Sequence, residues 1–202
     1  MLASGSMRFQ FPAAVLAGGA SRRMGLPKAA LPYGRTTLLA HQTERLAGLF
    51  EHVMVVAKEE PDFEVGPARL VLDGTAEQAP IYGLLAALAQ TKDRVFVLAV
   101  DLPLVTSAVI AEIARRGMET AAAALVPLAD GRLQPLAAVW SRAVISTAAE
   151  RIERRELSLH GLAEKCGAEI LAESEWRRFD PSGNAFANLN TLQDYVAARE
   201  RG

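Results

Sequence analysis

Short apolar runs recur along the first part of the chain, at residues 13–17, 52–57, 69–72, 95–100 and 121–127. Most lack polar alternation, so they read as strands covered on both faces. Between them, apolar residues return at helical spacing over 37–49, 81–90 and 107–116, the last with Thr106 or Ser107 as its N-cap. Strand alternating with helix implies β-α-β crossovers and a parallel sheet with helices on both faces. The rhythm then changes. Helices are predicted over 143–154, 158–166 and 192–199, and strands over 136–140 and 169–171. No repeat, low-complexity linker or composition break divides the chain. The pattern predicts one α/β domain over 7–202, three-layered with a mostly parallel, Rossmann-like central sheet. Residues 1–6 read as a tag or a disordered leader.

In open α/β sheets ligands sit at the C-terminal strand ends. Three polar loops share that address: Gly18-Gly19 after the first strand, Asp73-Gly74 after the third and Asp101-Leu102-Pro103 after the fourth. The first is the most informative. Glycines let backbone N–H groups approach an anion, and Arg22, Arg23 and Lys28 close behind supply counter-charge. The spacing matches neither the Walker A loop nor the dinucleotide fingerprint. Asp101 ends the run Val-Phe-Val-Leu-Ala-Val, where a rigidly held carboxylate suits Mg²⁺ beside phosphate oxygens. Asp73 stands in Asp-Gly, which is equally a turn. The segment from Ala79 to Gly83 opens a helix, whose N-terminus favours an anion. Asn188 and Asn190, two apart in an extended segment, point the same way, toward a ligand or a metal-bound water. Asn190 or Thr191 equally suits an N-cap for the last helix.

Composition narrows this picture. The 202 residues are 50% hydrophobic, enough for a full core. With 22 Lys+Arg against 23 Asp+Glu, the chain lacks the basic excess of a nucleic-acid binder. Cys166 is the only cysteine, which excludes an internal disulfide, suits a reducing cytoplasm and reads as a structural thiol. No segment is apolar for long enough to span a membrane, and none resembles a signal peptide. His41, His52 and His160 stand apart from one another and read as structural or solvated. No Gly-x-Ser-x-Gly or Cys/His pair offers a covalent nucleophile. A metal-bound triphosphate with cationic neighbours needs none, because a bound acceptor attacks directly.

The stretch from Leu16 to Lys28, Leu-Ala-Gly-Gly-Ala-Ser-Arg-Arg-Met-Gly-Leu-Pro-Lys, resembles the signature of the molybdenum cofactor guanylyltransferase (MobA-type) family of nucleotidyltransferases. Asp101-Leu102-Pro103, the segment from Gln134 to Val139, Ser158-Leu159 and the segment from Phe186 to Thr191 resemble further family motifs, so the likeness spans nearly the whole chain. It implies a fold like that of the nucleotide-diphospho-sugar transferases. It also implies transfer of GMP from GTP to molybdenum-molybdopterin with release of pyrophosphate. By the resemblance, Leu16, Ala17, Gly18, Gly19, Lys28, Asp73, Gly83 and Asp101 bind nucleotide. Arg23, Lys28 and Asp101 are catalytic, Asp101 ligates Mg²⁺, and Asn188 and Asn190 lie on the cofactor-substrate side. GTP and the molybdopterin cofactor are then the substrates, and molybdoenzymes or cofactor chaperones are candidate recipients. Four positions depart from the pattern: Pro27 before the loop lysine, Ala57-Lys58 after the second strand, Ala79-Pro80-Ile81-Tyr82-Gly83 at the helix start, and Leu192. The first three touch the nucleotide side. Cytidylyl transfer to the same cofactor, a sugar-1-phosphate nucleotidyltransferase and a non-catalytic nucleotide-binding module stay open as alternatives.

Overall fold

Every side chain of the first strand, β1 (Ala13–Leu16), is buried. Strand alternation sends Ala13 and Val15 into one apolar cluster and Ala14 and Leu16 into another. The computed structural model describes residues 8–18 and 27–187. After β1, a 3-10 turn at Lys28–Ala30 leads to a small hairpin of β2 (Pro32–Tyr33) and β3 (Thr36–Thr37). Then come α1 (Leu38–Ala47), β4 (Val53–Ala57), β5 (Arg69–Leu72), α2 (Pro80–Ala89), β6 (Arg94–Ala99) and α3 (Ser107–Glu119). The rest comprises β7 (Ala124–Ala129), β8 (Arg132–Leu133), β9 (Ala137–Ser141), α4 (Ile145–Glu153), α5 (Leu159–Lys165), β10 (Glu169–Leu171) and α6 (Glu173–Trp176).

The central sheet runs β10-β7-β9-β6-β1-β4-β5, with β8 paired to β7. β1 lies parallel to both neighbours, Leu16 standing opposite Val56 of β4 and Ala99 of β6. β9 is the exception within this order, antiparallel to β6 and to β7. One face is covered by α1 and α3 through Leu38, Leu46, Ile110 and Ile113. The other is covered by α2, α4 and α5 through Leu84, Leu88, Ala148 and Leu162. The chain steps from β1 outward to β4 and β5, then returns to the other side of β1 as β6. The strand order therefore reverses between β1 and β6, where such sheets open a crevice at their C-terminal edge.

Side-chain caps open three of the helices, α1, α3 and α5. Thr37 accepts from the Ala40 N–H at 3.1 Å, Thr106 from Val109 at 3.3 Å and Ser158 from Gly161 at 3.4 Å. The 143–154 segment divides into a 3-10 turn at Arg142–Val144 and then α4. The strand expected at 121 begins at Ala124, because alanines leave the apolar pattern without a clear edge. β5 is a strand not covered on both faces. It lies at the edge of the sheet, and Arg69 and Leu72 are exposed. The β7–β8 hairpin turns on Asp130 (φ 49°) and Gly131 (φ 70°), the two positive-φ residues of a type I′ turn. The proposed leader at 1–6 and the helix over 192–199 lie outside the described residues.

Candidate active site

The crevice between β1 and β6 holds a cavity of about 390 Å³. Leu16, Ala17 and Gly18 form one wall, with Ala99, Val100 and Asp101 beside them from the end of β6. Backbone bonds fix both segments. Ala17 donates to the Val56 carbonyl at 2.9 Å, and Val100 donates to the Leu16 carbonyl at 3.2 Å. A Cβ placed on Gly18 would meet no described atom within 4 Å, so the packing of the described residues does not demand glycine there. The side chain that is missing leaves room beside the backbone for a ligand. Gly83 lines the same cavity from α2, and its own packing explains it. A Cβ there would come within 3.3 Å of Leu16 Cδ2, so glycine lets α2 sit close against β1.

Two lysine–aspartate pairs set the electrostatics. Lys28 Nζ lies 3.2 Å from Asp101 Oδ2, joining the segment beyond the glycine loop to the tip of β6. Both side chains stay partly open to the cavity, at 22% and 27% exposed. Lys58, at the end of β4, lies 2.7 Å from Asp73 Oδ2, and Asp73 is almost fully buried. Lys58 also donates to the carbonyls of Thr75, at 3.3 Å, and Glu77. Three acceptors thus engage the three ammonium protons. Asp73 in turn accepts from the Thr75 N–H at 3.1 Å. Lys58 builds the 73–77 loop and aims the Asp73 carboxylate. Its reach of 15 or more residues along the chain left no mark in the local sequence pattern. Beyond that loop, Glu77 bonds the Tyr82 hydroxyl at 2.6 Å, which lowers the carboxyl pKa and raises that of the phenol.

The Gln134-Pro135-Leu136 segment is clamped by backbone and indole bonds. Gln134 donates to the Pro127 carbonyl at 2.8 Å, Trp140 Nε1 to Pro135 at 3.0 Å and Ala99 to Leu136 at 2.8 Å. Leu136 thereby stands between the first cavity and a second one of about 580 Å³. The second cavity is lined by Arg132, Gln134, His160, Asn184 and Phe186, among others. His160, read from sequence as structural or solvated, touches the Leu133 carbonyl at 3.0 Å and faces this cavity. His41 packs against Tyr33 with ring centroids 4.6 Å apart and the planes tilted, and burial, then the nearby Arg45 charge, lowers its pKa. Burial raises the pKa of the Cys166 thiol, which disfavours the reactive thiolate.

Of the residues singled out from the sequence, Leu16, Ala17, Gly18, Lys28, Asp73, Gly83 and Asp101 meet at the first cavity. Gly19, Arg22, Arg23, Asn188 and Asn190 lie outside the described residues. No cluster of three or more His, Cys, Asp or Glu that could hold a metal occurs among the described residues. Asp101 is thus a hard-oxygen donor outside any such cluster among the described residues. That suits a cation such as Mg²⁺, which takes one or two carboxylates and completes its shell with phosphate oxygens and water.

Residues 13–168 match the family model of the MobA-like NTP transferase domain. The chain belongs to this family. The matched segment, which carries the strand-end loops, is therefore that of a nucleotidyltransferase. The molybdenum cofactor guanylyltransferase of Syntrophotalea carbinolica is 29% identical, over 94% of this chain and 91% of its own. A Mycobacterium avium protein named a probable molybdenum cofactor guanylyltransferase is 34% identical, over 93% of this chain and 94% of its own. The crystal structure of molybdopterin-guanine dinucleotide biosynthesis protein A from Archaeoglobus fulgidus superposes with a TM-score of 0.81 at 23% identity. That match covers 95% of this chain and 98% of the other, and it establishes the mostly parallel α/β architecture. Among the described residues, no helix is long and apolar enough to cross a membrane.

Proposed function

We propose that the chain transfers GMP from GTP to molybdenum-molybdopterin, forming the guanine dinucleotide cofactor and releasing pyrophosphate. One observation carries this reading: the β1 strand end, Lys28 and Asp101 share a single cavity at the point where the strand order reverses. The β1 backbone and Asp73 hold the nucleoside. Lys28 and Arg23 bear on the phosphates. Asp101 holds Mg²⁺, which when bound with the triphosphate neutralises its oxygens and orients them.

Before nucleotide binds, Lys28 and Asp101 neutralise each other. A triphosphate arriving with its cation offers each a new partner of opposite charge, so neither is left stranded. The terminal phosphate oxygen of the acceptor then attacks the α-phosphorus of GTP. The bond from that phosphorus to the bridging oxygen breaks, and pyrophosphate leaves with the electron pair. Lys28 and Arg23 stabilise the charge that develops on it. The acceptor enters from the second cavity, past Leu136, and Asn188 and Asn190 serve that side. The product suits delivery to molybdoenzymes or cofactor chaperones in the cytoplasm.

Pyrophosphate release with each of the four nucleoside triphosphates, with and without molybdenum-molybdopterin, tests this reading. Magnesium-dependent release is expected with GTP only when the acceptor is present. Release with CTP in place of GTP would move the assignment to cytidylyl transfer. Release with neither would favour a binding module.

A further inference from the structure

α1 runs behind the Asp101 loop and turns two polar residues inward. Gln42 is fully buried. Arg45 Nη1 donates to the Pro103 carbonyl at 2.8 Å, and Nη2 donates to Gln42 Oε1. Gln42 Nε2 completes the series with a long contact, 3.5 Å, to the Val100 carbonyl. One chain of hydrogen bonds therefore spans Val100 to Pro103, and Asp101 and Leu102 lie between its two ends. Burial brings the Arg45 pKa down to about 10, and its Nε is shut away from solvent without a partner. Among the described residues no carboxylate pairs with this guanidinium. Carrying a charge into such a place costs free energy unless its hydrogen bonds compensate. Those bonds reach the backbone of the loop that presents Asp101, at Pro103 directly and at Val100 through Gln42.

We infer that Arg45 and Gln42 are positioning residues for the reaction, a bracket that holds backbone 100–103 so that the Asp101 carboxylate stays aimed at the cavity. The inference rests on the reading of Asp101 as the carboxylate that holds the divalent cation. Neither side chain lines the cavity. Their effect therefore passes through Asp101, and misplacing a reacting or charge-bearing group by an ångström is enough to slow a reaction about 100-fold.

The test titrates Mn²⁺ into the full chain with GTP, read by water-proton relaxation, alongside steady-state kinetics. It uses wild type, Arg45→Met, Arg45→Lys, Asp101→Asn and the Arg45→Met/Asp101→Asn double variant. Arg45→Met is expected to weaken Mn²⁺ binding and lower kcat by about 10- to 100-fold, with KM for GTP nearly unchanged. Arg45→Lys, which reaches one carbonyl but not both partners, should restore part of each loss. On the Asp101→Asn background Arg45→Met should cost nothing more. Wild-type Mn²⁺ affinity and kcat in Arg45→Met, or full additivity in the double variant, would overturn the bracket while leaving the reading of Asp101 intact. Undiminished Mn²⁺ binding in Asp101→Asn would overturn that reading and the bracket together. If Arg45→Met does not fold, Arg45→Lys decides alone. Mn²⁺ affinity and kcat lowered together support the bracket, and wild-type values in both overturn it.

Discussion

On the proposed mechanism, Lys28 and Asp101 matter more to charge development than to folding. Their ion pair is partly open to water, and pairs of that kind contribute about 0–1 kcal/mol to stability. Removing a group that stabilises charge as it forms costs about 100-fold or more in rate. Lys28→Ala and Asp101→Ala should therefore each slow GTP-dependent pyrophosphate release by about 100-fold or more, while thermal unfolding shifts by a few degrees at most. Wild-type rates in both would remove these two residues from the catalytic machinery. Cys166→Ser should leave turnover unchanged in the same assay. The thiol is half-buried, held toward its protonated form and bonded weakly to the Ala163 carbonyl at 3.5 Å. A strong loss there would mean the thiol takes part in the reaction.

The elements that set up the site were the most legible from sequence. β1, β4 and β6 are unbroken apolar runs because both of their faces are covered, and such runs stand out against polar loops. Their strand ends in turn located Gly18 and Asp101. The two-residue strands β2, β3 and β8 are too short to show a period, although Asp130-Gly131 is a hairpin signal that the sequence does display. Lys58, marked by the sequence only as a departure from the family pattern, and the Gln42–Arg45 bracket show another limit. Each acts across a tertiary gap, in large part on backbone carbonyls, and carbonyls carry no sequence. Gly117 in α3 shows the same limit. By helix propensity, Gly117→Ala should gain about 1 kcal/mol. A Cβ at 117, however, would stand 2.5 Å from Val139 Cγ2 and 2.7 Å from Val139 Cβ on β9. Overpacking of that kind costs about 1–3 kcal/mol, so the substitution should be neutral to destabilising by up to about 2 kcal/mol. Urea unfolding measures the sign, and a clear gain in stability would show that α3 has room to move off the sheet.

At the scale of the whole molecule, charge on α3 ties that helix to β10, α6 and the turn that follows α6. Arg116 bridges Glu169 of β10 at 3.2 Å and Glu175 of α6 at 2.5 Å. Glu112, almost fully buried, takes Arg115 at 2.8 Å and Arg178 at 3.4 Å. The Arg115 hydrogen bond chiefly, then the charges of Arg115, Arg178 and Arg116, hold the Glu112 carboxyl below its ordinary pKa of 4.5. Glu175 is lowered too, first by the Ala172 N–H and then by Arg116. A carboxyl with a depressed folded-state pKa contributes its full stability above its unfolded value. That contribution is lost as pH falls from there through the folded pKa. Stability against urea should therefore hold from neutrality down to about pH 4.5 as far as these two groups are concerned, then decline steadily. Glu112→Gln should start lower at neutral pH, since Arg115 and Arg178 lose their buried partner, and should show a shallower decline in acid. The urea midpoint measured across that range decides it. An acid limb of wild-type steepness in Glu112→Gln would mean that other carboxylates govern acid unfolding. Arg116, through Glu169 and Glu175, would then carry the charged link from α3 to β10 and α6 beside the apolar contacts of Ile110 and Ile113.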